Sequence, residues 1–101
     1  MPSYFKDPPV RNKRYRDWVK TLPCCMTNVE PAGDCHHLVG VGNEGGMGIK
    51  ACDLLTMPLT RKAHAIMHQD PELWPDQWQY IAKTLQRAIK DGIIRDITLD
   101  S

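Results

Sequence analysis

All four histidines of the chain lie between residues 35 and 68, in two pairs. His36 and His37 are adjacent, whereas His64 and His68 are four residues apart. Side chains at that spacing project from one face of a helix, where two imidazoles can bind a single divalent cation. The adjacent pair offers a third ligand and a general base, so the fold must bring the two pairs together if this stretch forms a catalytic site.

Local patterns predict a strand, a loop, a second strand and a helix along this stretch. Strands are expected over residues 35–41 and 53–59, separated by a segment with four glycines in residues 42–48 that predicts a flexible or tightly folded loop. Thr60 is placed to cap a helix over residues 61–69, which the dipeptide Asp70-Pro71 ends.

Helical periodicity flanks these elements on both sides. Residues 1–10 contain three prolines and predict an extended or poorly ordered arm, and residues 12–22 predict a short helix that Pro23 stops. A longer helix is expected over residues 75–91, from Pro75 to a stop at Gly92. Its predicted core face contains Trp78, Ile81, Ala82, Leu85, Ala88 and Ile89.

Length and composition restrict the class of protein. A chain of 101 residues predicts a single domain, residues 1–101, with a small core. It contains neither an apolar run of the ~18 residues needed for a membrane span nor a signal-peptide pattern, so we expect a cytoplasmic protein that does not bind membranes. The four cysteines follow no regular disulfide spacing, which favours free thiols.

The net charge of +1 hides an uneven distribution of charge. Residues 11–20 carry five basic side chains against one acidic side chain, with two aromatic residues between them. This pattern favours a phosphate-facing surface, although a solvated helix face would give the same charge pattern. The expected DNA contacts in this run are Arg11, Lys13, Arg14 and Arg16.

Three imidazoles on one ion would leave coordination positions open for water and substrate. Such an ion can bind a scissile phosphate while a nearby histidine deprotonates the attacking water. A single histidine is more often an ordinary surface or core residue. The two pairs and the predicted order of elements together favour a catalytic metal site.

Several segments together resemble the HNH (ββα-metal) nucleases. They are residues 34–40 (Asp-Cys-His-His-Leu-Val-Gly), the glycine segment 42–48, residues 53–55 (Asp-Leu-Leu), and residues 58–62 (Pro-Leu-Thr-Arg-Lys) followed by the two spaced histidines. Within these nucleases the resemblance is to phage and prophage proteins of the RecA-dependent nuclease Ref type, and it covers residues 24–94.

The resemblance implies an α+β fold in which a ββα-metal finger, residues 35–69, packs against an N-terminal helix and a long C-terminal helix. It implies a metal-dependent endonuclease that cleaves DNA without sequence preference or according to DNA structure. By the same resemblance, His36, His64 and His68 hold one divalent ion and His37 is the general base. Mg²⁺ or Mn²⁺ is expected in catalysis, with Zn²⁺ as a further candidate.

Other residues acquire expected roles from the same resemblance. Asp34 either orients His37 or is an ordinary turn carboxylate, and Asp53 is expected to tie the loop to the hairpin. Phosphate contacts are expected at Lys50, Arg61 and Lys62, with the surface role of any such cation as the alternative.

The chain also departs from the HNH pattern. Many HNH proteins have a structural zinc bound by two Cys-x-x-Cys pairs, but the corresponding positions here are Cys24 with Thr27 and Thr60 with Ala63. No structural zinc is therefore expected. The expected partners are the DNA backbone and, by resemblance to the Ref type, a RecA filament. The alternative function is a non-catalytic nucleic-acid-binding module in which the same histidines hold a structural zinc.

Overall fold

The computed structural model describes residues 10–40 and 52–95. Its elements are α1 (Lys13–Val19), β1 (Asp34–His37), β2 (Thr56–Leu59), α2 (Arg61–Gln69), a 3-10 helix (Pro71–Asp76) and α3 (Gln77–Lys90). β1 and β2 pair antiparallel. This mixture of a two-stranded sheet and three α-helices confirms the predicted α+β class. The predicted arm, the glycine segment 42–48 and Lys50 lie outside the described residues, apart from Val10 at the end of the arm.

α1 begins where expected and ends earlier than predicted. The Asn12 side chain caps it by accepting a hydrogen bond from the Tyr15 backbone, and Tyr15 and Val19 are buried. After Val19 the backbone bonds shorten to three-residue spacing, because Thr21 bonds to Trp18 and Leu22 bonds to Val19. Leu22 still reaches the core from this turn.

Both strands are shorter than predicted. β1 stops at His37 because the backbone of Val39 bonds to a side chain of α3 instead of another strand. Residues 53–55 form a turn, in which Leu55 N–H donates to Cys52 and the Thr56 hydroxyl donates to the Asp53 carbonyl. The prediction of strand over residues 53–55 is therefore wrong, and Val41 lies outside the described residues.

α2 follows β2 almost directly and has the predicted bounds. Its N-cap is Thr60, as expected, since the hydroxyl accepts from Ala63 N–H at 3.2 Å. Ala63 and Met67 are buried against the hairpin. At the other end, the Trp74 indole donates to the Met67 carbonyl at 2.8 Å, which satisfies one carbonyl of the last turn.

α3 begins two residues later than predicted, because Pro75 lies inside the preceding 3-10 helix. Its end agrees with the prediction, since Gly92 has φ +74° and Ile93 N–H bonds back to the Ala88 carbonyl. None of the helices in the described residues has the length and hydropathy to cross a membrane.

The buried face of α3 agrees only in part with the predicted one: Ile81 and Ala88 are buried and Leu85 packs against both core clusters, but the other three predicted residues are exposed. Trp78 is 44% exposed, Ile89 is 37% exposed, and Ala82 is also exposed. The buried residues are Gln77, Ile81, Thr84 and Ala88. The apolar pattern does not predict the other two buried positions, Gln77 and Thr84, because they are polar residues whose hydrogen bonds are made inside the protein.

The hairpin is covered on both faces, so all four residues of β2 are buried. One core cluster joins the hairpin to α2 and α3 through Leu38, Met57, Met67 and Ile81, among others. A second cluster holds Tyr15 and Val19 of α1 against Ala88 of α3. The two clusters fix α1 and α2 against the strand that carries the adjacent histidines.

Gly40 offers a test of this packing. It has φ +71°, and a Cβ there would overlap the ring carbons of Trp74. Gly33 has φ +95°, but a Cβ there would meet no atom within 4 Å. We expect Gly33→Ala to cost about 1–2 kcal/mol from backbone strain alone. Gly40→Ala should cost a further ~1–3 kcal/mol from overpacking, measured by urea unfolding. Equal losses would contradict the Trp74 contact.

Candidate metal centre

Three histidines from two elements converge beside the hairpin. His36 lies in β1, and His64 and His68 lie one turn apart in α2. One nitrogen from each ring lies within 4.8 Å of the others, and the ring centroids are 4.8–4.9 Å apart. Among the described residues, no other group of histidine, cysteine or acidic side chains meets this way. We call this group the histidine triad.

His36 is the buried member of the triad. Its Nε2 lies 2.9 Å from Oε1 of Gln77, whereas its Nδ1 is buried and has no hydrogen-bond partner. Burial lowers the pKa of His36 from 6.5 to about 4, so the ring is neutral at pH 7 and keeps a lone pair. An unpartnered buried nitrogen costs free energy, and a cation bound by the triad would satisfy it.

His64 contacts a carboxylate through its ring nitrogen Nδ1, and not through Nε2. Its Nδ1 lies 3.1 Å from Oδ2 of Asp34, and Arg61 lies 3.5 Å from the same oxygen. A carboxylate that accepts from one ring nitrogen orients the other for metal binding. The expectation that Asp34 orients His37 is wrong, because alternate residues of a strand share a face and Asp34 shares its face with His36.

His68 is the exposed member of the triad. Partial burial, and then the nearby ring of His64, lower the pKa of His68. The shifts of His36 and His68 both favour the neutral form that can bind a metal. The set of donors therefore fits a divalent cation with nitrogen ligands and open positions.

His37 lies outside the triad. Both residues of the adjacent pair lie within β1, with His36 opposite Met57 and His37 opposite Thr56. The His37 ring points away from its neighbour and contacts Asp53, with Nε2 and Oδ1 2.8 Å apart. His37 Nδ1 is then the nitrogen that is free to accept a proton.

Asp53 connects His37 to α1. Its carboxylate is 1% exposed, accepts from Asn12 N–H at 2.7 Å, and pairs with Arg11 and Arg16 at 3.3 and 3.0 Å. Burial alone would raise the pKa of Asp53, but the hydrogen bonds from His37 and Asn12 lower it, as does the charge of Arg16. Asp53 is therefore ionised and both orients His37 and positions the start of α1.

The basic run of α1 is largely paired within the protein. Arg11 and Arg16 contact Asp53, and Lys13 donates to Asp17 at 2.6 Å. Arg14 is exposed and makes no ion pair with the described residues. The expected row of phosphate-binding residues is thus mostly engaged elsewhere, which the charge pattern alone did not indicate.

A cleft of about 560 Å³ opens beside the triad, and His64, His68 and Asp34 form part of its lining. Two cations also line it: Lys20 at the end of α1 and Arg61 at the start of α2. Lys62, the next residue of α2, is exposed. The sequence does not indicate Lys20 as a phosphate contact, because only the fold brings the two helix ends together.

Gln77 was also missed. It is completely buried and contacts His36, although the sequence shows only a polar residue four positions before the core residue Ile81. A polar residue at a core-facing helix position is a signal that could have identified it. The four cysteines are free thiols.

The low pKa of His36 predicts a pH-dependent stability. Since its pKa falls on folding from 6.5 to about 4, stability of the metal-free protein is retained above pH 6.5 and lost as pH falls toward 4. We expect the free energy of unfolding from urea melts to fall over that window, with His68 contributing in the same direction. His36→Asn should flatten the dependence, and an unchanged slope in that variant would contradict it.

Comparison with known proteins assigns the family. Residues 2–92 match the family described as "Protein of unknown function (DUF968)". The chain is similar to the uncharacterized protein YdfU of Escherichia coli (strain K12), with 39% identity over 101 residues. That alignment covers 92% of this chain and 28% of YdfU, so the chain spans about a quarter of that relative. No solved structure matches the chain. The chain belongs to the DUF968 family.

Proposed function

We propose that this protein is a metal-dependent endonuclease of the HNH (ββα-metal) type that hydrolyses phosphodiester bonds of DNA. The observation that carries the proposal is the histidine triad, in which one ring nitrogen from each histidine converges with the others; in addition, His36 Nδ1 is buried without a partner. The triad bridges a hairpin strand and the following helix, and its sequence context resembles that of the HNH nucleases.

The donor set supports a catalytic rather than a closed metal site. Three protein ligands leave positions for water and phosphate, whereas a closed structural site uses four. His37 is committed to Asp53 and does not join the triad. A divalent ion bound there would stabilise the negative charge of the transition state and of the leaving 3′-oxygen. Mg²⁺ or Mn²⁺ would serve, and Zn²⁺ also suits imidazole ligands.

In this proposal His37 is the general base. The Asp53 carboxylate accepts a hydrogen bond from Nε2–H of His37, which orients the ring. His37 Nδ1 then takes a proton from the attacking water as the water oxygen bonds to phosphorus and the bond to the leaving oxygen breaks. His36 and His37 have Cα atoms only ~3.8 Å apart, and their rings point to opposite sides of β1.

The cleft provides the surface for the nucleic-acid backbone. Lys20 and Arg61 line it from two helix ends, and His64 and His68 line the same cleft. Cations that contact phosphates give affinity without reading sequence. We therefore propose a nuclease that is non-specific or directed by DNA structure, and add Lys20 to the proposed phosphate contacts.

Substitution of the proposed base tests the enzyme directly. We expect His37→Ala to retain Mn²⁺ and DNA binding, and to lose at least ~10²-fold in plasmid cleavage with Mg²⁺ or Mn²⁺. His64→Ala is the matched comparison and should lose metal binding as well as cleavage.

The same experiment distinguishes the alternative. If His37→Ala loses the metal and unfolds, then His37 is a ligand and the protein is a non-catalytic zinc-binding module. Full cleavage by a folded His37→Ala protein would reject His37 as the base.

A pair of lysine variants tests the cleft. Both lysines pair with Asp17, Lys13 at 2.6 Å and Lys20 at 3.8 Å, but only Lys20 also lines the cleft. Lys20→Ala should weaken DNA binding by the metal-free protein and reduce the dependence of log affinity on log salt concentration by about one unit. Lys13→Ala should change that slope much less. Equal slopes for the two variants would place the DNA elsewhere.

A further inference from the structure

The side-chain amide of Gln77 is buried beside His36, at the start of α3. Its Nε2 lies 2.8 Å from the Val39 carbonyl and 3.1 Å from the Trp74 carbonyl. Carbonyl oxygens only accept hydrogen bonds, so the NH₂ group must occupy this position. The orientation of the amide is therefore determined by the backbone around it.

The other end of the amide must then be the oxygen. Oε1 accepts from Val39 N–H at 3.1 Å and lies 2.9 Å from Nε2 of His36. An amide oxygen cannot donate, so the proton on the neutral His36 ring must be on Nε2. The lone pair is consequently on Nδ1, the buried atom without a partner.

Every hydrogen-bonding position of this amide is used. Two donors meet two carbonyls, and the oxygen meets one backbone N–H and one imidazole N–H. A fully matched buried amide has one favourable orientation, because the reversed amide would place its oxygen against two carbonyls and its NH₂ group against the Val39 N–H. The network therefore holds His36 in one tautomer before any metal binds.

We infer that Gln77 is a positioning residue that sets the tautomer of His36, so that His36 binds the metal through Nδ1. The inference rests on the metal site of the proposed function and not on nuclease activity. His64 has the opposite arrangement, since Asp34 occupies its Nδ1 and leaves Nε2 for the metal. The triad thus combines ligand atoms of two kinds, each selected by a different partner.

Imidazole NMR on the metal-free protein tests this without a substrate. Two-bond ¹H–¹⁵N spectra distinguish protonated from unprotonated ring nitrogens, and with four histidines each signal can be assigned by single substitution. We expect the wild-type His36 ring to carry its proton on Nε2, and added Cd²⁺ to couple to its Nδ1. A proton on Nδ1, or Cd²⁺ bound through Nε2, would overturn the inference.

Two variants extend the test, with exposed Gln79 as the matched control on the same helix. Gln77→Met should let His36 populate both tautomers and weaken Zn²⁺ binding by about 10–100-fold, whereas Gln79→Met should change neither. If Gln77→Met does not fold, the tautomer and the Cd²⁺ coupling of wild-type His36 remain the test. A folded Gln77→Met protein with wild-type Zn²⁺ affinity and tautomer would overturn the inference.

The outcomes separate this inference from the proposed function. If the protein binds Cd²⁺ through His36 Nδ1 but does not cleave DNA, the role of Gln77 stands and the nuclease proposal is wrong. If the protein cleaves DNA but His36 binds the metal through Nε2, the nuclease proposal stands and the role of Gln77 is wrong.

Discussion

The arrangement of the site depends on a buried carboxylate. Asp53 is almost completely inaccessible to solvent, and a buried charge is tolerated only when it is paired and hydrogen-bonded. Its partners are the Asn12 backbone, two arginines at the start of α1, and the His37 ring. Each partner satisfies part of this carboxylate, so α1 and His37 are held together by the same group.

A second polar centre, the amide of Gln77, performs a similar task on the other side of β1. It connects α3 and the 3-10 helix to His36 and to the chain after the strand. The two centres differ in chemistry, since one is charged and the other neutral. Each orients one of the two adjacent histidines, and neither contacts both.

Much of this arrangement could be predicted from the sequence, where the signals are local. The bounds of α2, its Thr60 cap and the stop at Gly92 follow from residue type and position. The spacing of His64 and His68 also predicted their shared helix face. By contrast, the position of Gln77 on the helix indicates burial but not its contact with His36, and the place of Lys20 in the cleft is set by the fold. Asp34 was misplaced because strand alternation was not applied to it.

β1 separates the two adjacent histidines by alternation alone. His36 faces the triad and His37 faces Asp53 because successive strand residues point to opposite sides of a sheet. A shift of the hairpin register by one residue would exchange these environments, placing a histidine where the thiol of Cys35 now lies and a thiol toward α2. Whether a histidine occupies an odd or an even position of the strand therefore determines which face of the sheet it lies on. Because all of β2 is buried, the register of the hairpin is fixed.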